Sequence, residues 1–231
     1  MSNKILYLLY FLSGFSALVY EVTWLRKLEL VFGTTTYAVS TIIAVFFTGL
    51  AVGAWGFGRL VDRYKLKVQS EKLKVTVSNS KFLKLYGILE LGISIYAVLT
   101  PWVFKGIEVV QAYVWSTFEP SFSSFNIATF VLATLGLILP TIFMGGTFPV
   151  VAKATVQINA DQNADKHGSV GLLYGLNTLG AVVGTLLAGF FLIVTFGVRE
   201  TILISAVLSL AIGGTAIYMS SKFKPDVRGM K

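Results

Sequence analysis

Long apolar stretches separated by short charged segments dominate this chain. Three of them, residues 30–58, 120–152 and 168–198, contain no Asp, Glu, Lys or Arg. A helix needs roughly 20 apolar residues to cross a hydrocarbon layer about 30 Å thick. Each stretch is long enough, so the pattern predicts an all-α polytopic membrane protein.

We predict six transmembrane helices in a single domain, covering residues 5–30, 37–58, 83–103, 125–152, 168–194 and 201–220. Residues 59–82 form a basic loop, and residues 104–121 mix aromatic with charged side chains, as an interfacial segment does. Pro140 and Pro149 fall inside the fourth span, where we expect a kink. The first apolar run lacks an Ala-x-Ala-like cleavage site, so we expect it to be retained.

Basic residues lie unevenly about these spans. With a cytoplasmic N-terminus, 15 of the 19 Lys and Arg residues fall on the inner side. The four outside are Arg26, Lys27, Lys105 and Arg199. Because cytoplasmic loops carry an excess of Lys and Arg, we predict that both termini are cytoplasmic and that residues 104–121 are external. We expect the membrane to be the inner membrane of a bacterium.

Composition removes several classes of function. Hydrophobic residues make up 55% of the chain and charged residues 13%, so the apolar surface must meet the lipid bilayer. The net charge of +8 does not indicate nucleic-acid binding, because the charges flank apolar spans. There is no cysteine and only one histidine, which argues against disulfides, thiolate chemistry, a metal site or another cofactor.

Glycine spacing indicates an internal repeat and close helix contacts. The second and fifth spans share one spacing, in Gly49, Gly53 and Gly58 and in Gly180, Gly184 and Gly189. Three spans per repeat would invert the second copy, a plan common in transporters; chance spacing is the alternative. Glycines four residues apart let helix backbones approach, which predicts packing at Gly49, Gly53, Gly171, Gly175, Gly180 and Gly184.

Polar residues at membrane depth are the first candidates for function. Glu90 lies in the third span between two leucines, and an intramembrane carboxylate faces a cavity or a partner. Glu21 lies near the outer end of the first span, where an interfacial role beside Arg26 is the alternative. Asn177 lies in the fifth span, and an interhelical hydrogen bond is its alternative role.

The loop after the second span reads GRLVDRYKLK over residues 58–67. It resembles the G-x-L-x-D-R-x-G-R-K signature between the second and third helices of the major facilitator superfamily. That resemblance implies a conformational latch formed by Gly58, Asp62 and Arg63, within a half-facilitator bundle. Tyr64 and Lys65 depart from the pattern, and an ordinary basic loop is the alternative.

Five stretches in order are similar to the N-terminal membrane region of bacterial spermidine-synthase-like proteins. They read LSGFSALVYEVTWLR (12–26), FGTTTYAVS (32–40), GRLVDR (58–63), LPTIFMGGTFP (139–149) and LYGLNTLGAVVG (173–184). In that family a facilitator-type bundle is fused to an aminopropyltransferase. Tyr20, Glu21, Tyr174 and Asn177 fall in these stretches, and we take them with Glu90 as candidate substrate-binding residues.

The resemblance leaves three hypotheses about function. No segment here is long enough for the family's catalytic α/β domain, so we expect a non-catalytic chain. The first hypothesis is an accessory or scaffold subunit of a larger membrane assembly. The second is a dimeric module that binds or transports a small, polyamine-like solute. The third is a membrane anchor for a separately encoded aminopropyltransferase.

Overall fold

The computed structural model of the chain describes residues 3–33, 35–63, 71–118, 121–160 and 166–222. These residues are helical almost throughout, and none of them is in a strand. The helices are α1 (Asn3–Phe32), α2 (Thr36–Arg63), α3 (Glu71–Phe118), α4 (Phe122–Ala160), α5 (Lys166–Leu187), α6 (Ile193–Phe196) and α7 (Val198–Lys222). A π-helical turn, Ala188–Leu192, joins α5 to α6.

Six helical segments in the described part of the chain are long and apolar enough to cross a membrane. They are Lys4–Phe32, Thr36–Arg63, Ser80–Phe118, Phe122–Val156, Gly168–Phe196 and Val198–Lys222. The prediction of an all-α membrane protein with six spans is therefore confirmed.

The helices α3 and α4 are longer than the spans predicted within them. Helix α3 has 48 residues, or about 72 Å at 1.5 Å per residue, which exceeds the thickness of a bilayer. It runs through Pro101 and takes in residues 104–118 of the predicted interfacial segment. It also takes in residues 71–82 of the predicted basic loop, whereas residues 64–70 lie outside the described residues. Helix α4 continues through Pro140 and Pro149.

Two glycines with positive φ lie at the same end of the bundle. Gly33 (φ 89°) ends α1 and Gly197 (φ 86°) precedes α7, and glycine enters this backbone region without steric penalty. We call this the Gly33 end, and the opposite end, where α2 finishes, the Arg63 end. Lys4, Lys153 and Lys222 lie toward the Arg63 end. The charges are thus segregated as predicted, while the side on which each end faces stays a prediction.

The helices pair in a pattern that supports the predicted repeat. Helix α2 packs along α4, α1 along α5, and α3 along α7. If the first three spans correspond to the last three, the pairing of spans two and four is equivalent to that of spans five and one. Spans three and six then correspond to each other, so exchanging the two repeats leaves their pairing unchanged. The contacts of α3 with α4 and of α7 with α1 correspond in the same way.

Four of the predicted packing glycines lie at close contacts between these paired helices. A Cβ on Gly49 or Gly53 would come within 3.0 Å of α4, and a Cβ on Gly180 or Gly184 would come within 3.0 Å of the α1 backbone. If spans two and five correspond in the repeat, these two contacts are equivalent as well. Glycines four residues apart thus permit close packing both of α2 on α4 and of α5 on α1.

The prediction of close helix packing is wrong for Gly171 and Gly175. A Cβ on either would have no neighbour within 4 Å among the described residues. The reason is helical geometry, because Gly171 precedes Gly180 by nine residues, or about 900° of rotation at 100° per residue. Gly175 precedes Gly184 by the same interval. The two glycines therefore lie on the side of α5 that faces away from α1.

The core consists of two hydrophobic clusters along the bundle axis. The cluster toward the Gly33 end includes Trp24, Phe46 and Phe104. The cluster toward the Arg63 end includes Tyr86 and Val150. Between them lies a layer of buried polar side chains that contains Glu90, the one buried carboxyl group among the described residues.

Candidate functional site

A buried polar layer crosses the middle of the bundle where α1, α3 and α7 meet. Ser13 Oγ on α1 donates a hydrogen bond of 2.5 Å to Glu90 Oε1 on α3. Ser209 Oγ on α7 donates to Ser16 Oγ at 3.2 Å, and the Tyr20 hydroxyl reaches Ser209 Oγ at 3.5 Å. Tyr86, on α3 with Glu90, donates its hydroxyl proton to the Leu9 carbonyl oxygen at 3.3 Å. Hydroxyl groups from three helices therefore form a buried hydrogen-bonded layer, in which Ser13 is the group that donates to the carboxyl of Glu90.

Glu90 has no basic partner within the described part of the chain. Its side chain is buried, at 1% exposure. Ion pairs among the described residues include Arg26–Glu29, Lys105–Glu108 and Lys153–Asp62, and none of these involves Glu90. An unpaired charge in an apolar interior is costly, so the carboxyl group must hold either a proton or an external cation. The sequence had singled out this residue, and the structure places it at the centre of the polar layer.

A cavity of about 280 Å³ lies beside Glu90. Side chains from α1, α2, α3, α4 and α5 border it. The polar part of the lining is Tyr10, Ser13, Ser16, Glu90, Thr147, Tyr174 and Asn177. The apolar part includes Phe46, Leu50, Ile93, Met144 and Phe148. A mostly apolar cavity with a few convergent polar groups is the usual form of a small-molecule site.

Aromatic rings form one wall of this cavity. The Tyr10 and Phe148 ring centroids are 6.5 Å apart, and those of Phe148 and Tyr174 are 5.8 Å apart with a T-shaped geometry. Tyr86 packs edge-on against Tyr10 from behind, at 6.3 Å. The wall thus brings together residues of α1, α4 and α5 that are far apart in sequence.

Asn177 joins α5 to α1 at the cavity. Its Nδ2 donates a hydrogen bond of 2.9 Å to the Tyr10 carbonyl oxygen. A Cβ on Gly14 would come within 3.0 Å of the Asn177 backbone, so glycine is required there for this close approach. Asn177 therefore makes the interhelical hydrogen bond that was its alternative role, and it also borders the cavity.

The remaining two candidates lie away from the cavity lining. Tyr20 is fully buried, with its ring stacked on Trp24 at 5.2 Å and its hydroxyl directed to Ser209. It supports the polar layer rather than bordering the cavity. Glu21 lies one turn beyond Ala17 toward the Gly33 end and is not among the residues lining the cavity. The structure thus brings Glu90, Tyr174 and Asn177 together.

Sequence reasoning missed several residues of this site, namely Tyr10, Ser13, Ser16, Phe148 and Ser209. A signal for the α1 residues was present, since Tyr10, Ser13 and Tyr20 recur at intervals of three and seven residues. Positions with this spacing lie on one face of a helix. No signal marked Ser209, because α7 carries other hydroxyl residues, such as Ser205 one turn earlier, and the sequence does not distinguish between them.

The predicted latch lies at the Arg63 end, apart from the cavity. Asp62 Oδ1 forms an ion pair of 2.9 Å with Lys153 Nζ on α4, so its partner is a lysine of another helix. Gly58 lies near α4, where a Cβ would be 3.8 Å from Pro149. Arg63 is the last residue of α2. These contacts join α2 to α4, and a conformational role for them stays a prediction.

The described part of the chain holds no cluster of three or more His, Cys, Asp or Glu side chains suited to a metal ion. Comparison of the chain with protein-family models, with curated proteins and with solved structures found no match. The resemblance to spermidine-synthase-like membrane regions and to the facilitator bundle therefore stays a prediction.

Proposed function

We propose that this chain is a membrane module that binds a small organic cation, such as a polyamine, in the cavity beside Glu90. The observation that carries the proposal is a carboxyl group that lies inside the bundle, borders a cavity and lacks a basic partner among the described residues. A bound ammonium group would supply the missing charge. The hydroxyl of Ser13 would then hold the carboxylate in place.

The aromatic wall favours a cation over a neutral solute. The faces of Tyr and Phe rings attract ammonium groups by about 0.5–2 kcal/mol, most strongly where water is excluded. Tyr10, Phe148 and Tyr174 offer such rings next to the carboxyl group. The apolar side chains of Phe46 and Met144 suit the hydrocarbon part of an amine. A volume of about 280 Å³ fits a small solute.

Tyr174 indicates where a solute would enter. It borders the cavity and is also 61% exposed, so this wall is one side chain thick. A change of its rotamer would open the cavity toward the outer surface of α4 and α5. Movement of solute across the membrane would further require an alternating opening. The repeated helix pairing supports such a role, which we propose for a homodimer because six helices are half of a twelve-helix facilitator.

The direct test is a binding measurement on the protein in nanodiscs of zwitterionic lipid, with spermidine as the probe and isothermal titration calorimetry as the readout. We expect Glu90→Gln to weaken binding at least tenfold, because loss of one member of a buried charge pair costs about 2–5 kcal/mol. Glutamine has nearly the same shape and keeps an oxygen that accepts the Ser13 hydrogen bond, so the fold should persist.

Glu21→Gln is the matched control, since it removes a carboxylate from the same membrane region outside the cavity. It should bind spermidine as the native chain does. Equal affinities of the native chain and the Glu90→Gln variant would refute the proposal. An equal loss in both variants would do so as well, because it would indicate a general charge effect.

The accessory-subunit and synthase-anchor hypotheses stay predictions of the sequence. One feature favours a protein partner, namely that α5 presents Gly171 and Gly175 on an open face. Small residues in lipid-exposed positions permit a second helix to approach closely. Mild solubilisation followed by mass spectrometry of the purified complex tests this second function. A chain that purifies without any other protein would contradict it.

A further inference from the structure

A second cavity, of about 320 Å³, lies at the Gly33 end between α1, α3 and α7. Three basic side chains, Lys27, Lys105 and Arg199, border it, one from each of these helices. Together with Arg26 they are the only basic residues assigned to this end by the charge pattern. Tertiary structure therefore gathers three of four scattered cations around one space.

The charges around this cavity are not balanced within the described residues. Lys105 Nζ pairs with Glu108 Oε2 at 3.2 Å, and Glu108 also borders the cavity. Lys27 and Arg199 take part in no ion pair among the described residues. The lining thus carries three positive groups and one negative group. Like charges held together repel one another, and an anion between them would remove that repulsion.

The rest of the lining is mostly apolar and indicates how deep in the membrane this cavity lies. Leu30, Val31, Phe104 and Ile202 complete most of it. Arg199 is the second residue of α7, so the charged groups lie where a transmembrane segment begins. Nearby on α3, Trp102 is 69% exposed, and exposed tryptophans are typical of the membrane–water interface. The basic groups thus lie at headgroup level, with apolar side chains beside them.

We propose that this cavity binds a phosphate group through Lys27, Lys105 and Arg199. The planar guanidinium of arginine donates two parallel hydrogen bonds to phosphate oxygens, and lysine adds charge and further donors. The phosphate could belong to the headgroup of an anionic phospholipid or to a small soluble phosphate. The site is separate from the cavity beside Glu90, with which it shares no lining residue.

The experiment has two arms that distinguish these sources. In the first, the delipidated protein in neutral detergent is titrated with phosphatidylglycerol, with phosphatidylcholine as comparison, and bound lipid is counted by native mass spectrometry. In the second, the same protein is titrated with inorganic phosphate and followed by its thermal unfolding. Each arm uses the native chain and the single variants Lys27→Gln and Arg199→Gln.

Arg26→Gln is the matched control, because Arg26 is the neighbour of Lys27, lies at the same end and does not border this cavity. We expect both cavity variants to weaken binding about tenfold, since each removes a positive charge and a charge-assisted hydrogen bond to the phosphate. Arg26→Gln should bind as the native chain does. Arg199→Lys should recover part of the affinity, which a merely misfolded variant would not.

Binding in the lipid arm alone would support the proposal with a phospholipid as the source, and binding in the phosphate arm alone would support it with a soluble anion. The proposal is overturned if neither probe binds. It is equally overturned if the Arg26→Gln variant loses as much affinity as the two cavity variants. Both outcomes leave the spermidine measurements untouched, so the two sites are tested independently.

Discussion

Replacing Gly180 by alanine should force α1 and α5 apart. The added Cβ would lie 2.9 Å from the Phe11 carbonyl carbon and 3.2 Å from the Phe15 backbone nitrogen, and closer still to the Phe11 carbonyl oxygen. Ordinary van der Waals contact begins at 3.4 Å. The obstructing atoms are backbone and cannot rotate away. The helices must therefore separate by at least about 0.5 Å at the carbonyl carbon, and by more at the oxygen.

The energetic consequence follows from two opposing effects. Overpacking of an interface costs typically 1–3 kcal/mol, while replacing glycine by alanine within a helix returns about 0.5–1 kcal/mol. We expect Gly180→Ala to lower the free energy of unfolding by about 1–2 kcal/mol. Gly175→Ala in the same helix is the control, because its Cβ would enter open space. That variant should be as stable as the native chain or slightly more stable.

Titration with sodium dodecyl sulfate in mixed micelles measures this difference. Tryptophan fluorescence reports on tertiary packing, because Trp24 on α1 is 1% exposed in the folded chain. The unfolding midpoint of Gly180→Ala should move to a lower detergent fraction, and that of Gly175→Ala should not. Equal midpoints for Gly180→Ala and the native chain would refute the close contact of α1 with α5. Equal losses in both variants would refute the assignment of opposite faces to these glycines.

Further predictions concern the repeat, the polar layer, the aromatic wall and the latch. Gly53→Ala should lower the detergent midpoint because it would press on the α4 backbone, whereas Gly56→Ala, in open space, should not. Ser13→Ala should weaken spermidine binding about tenfold in calorimetry, since it removes a hydrogen bond to the carboxylate. Tyr174→Phe should keep the affinity and Tyr174→Ala should lose about tenfold, if the ring face holds the cation. Asp62→Asn should change the free energy of unfolding by less than about 1 kcal/mol, because this carboxylate is 76% exposed.

The fold class was predictable because a bilayer imposes strong rules on sequence. Backbone groups in lipid must be satisfied within the segment, so an apolar stretch of 20 residues becomes a helix. Helix bounds were less predictable: α3 extends far past the predicted span at both ends. The extra turns contain mixed polar and apolar residues, which hydropathy alone does not distinguish from a loop. Pro101 gave no useful boundary, since a helix within a membrane protein continues past proline.

The glycine spacing predicted that close helix contacts exist, but it did not indicate which side of each helix makes them. Glycines four apart in the second span and near the centre of the fifth span do lie at close helix contacts. The same spacing at Gly171 and Gly175 does not, because these residues lie on the opposite side of α5. Which side of a helix faces a neighbour depends on the partner helix. That information is not contained in the segment itself.

By itself, then, the sequence determined six apolar spans, their segregated charges and the presence of one carboxylate, Glu90, among leucines. Only the tertiary structure decided what surrounds that carboxylate. Ser13, which donates to the carboxylate, lies on α1, and Ser209, which donates to Ser16 in the same polar layer, lies on α7 at the opposite end of the chain. The second cavity gathers Lys27, Lys105 and Arg199 in the same way. The physical reason is that the bilayer acts on each segment separately, whereas a site requires side chains from several segments, which only helix packing brings together.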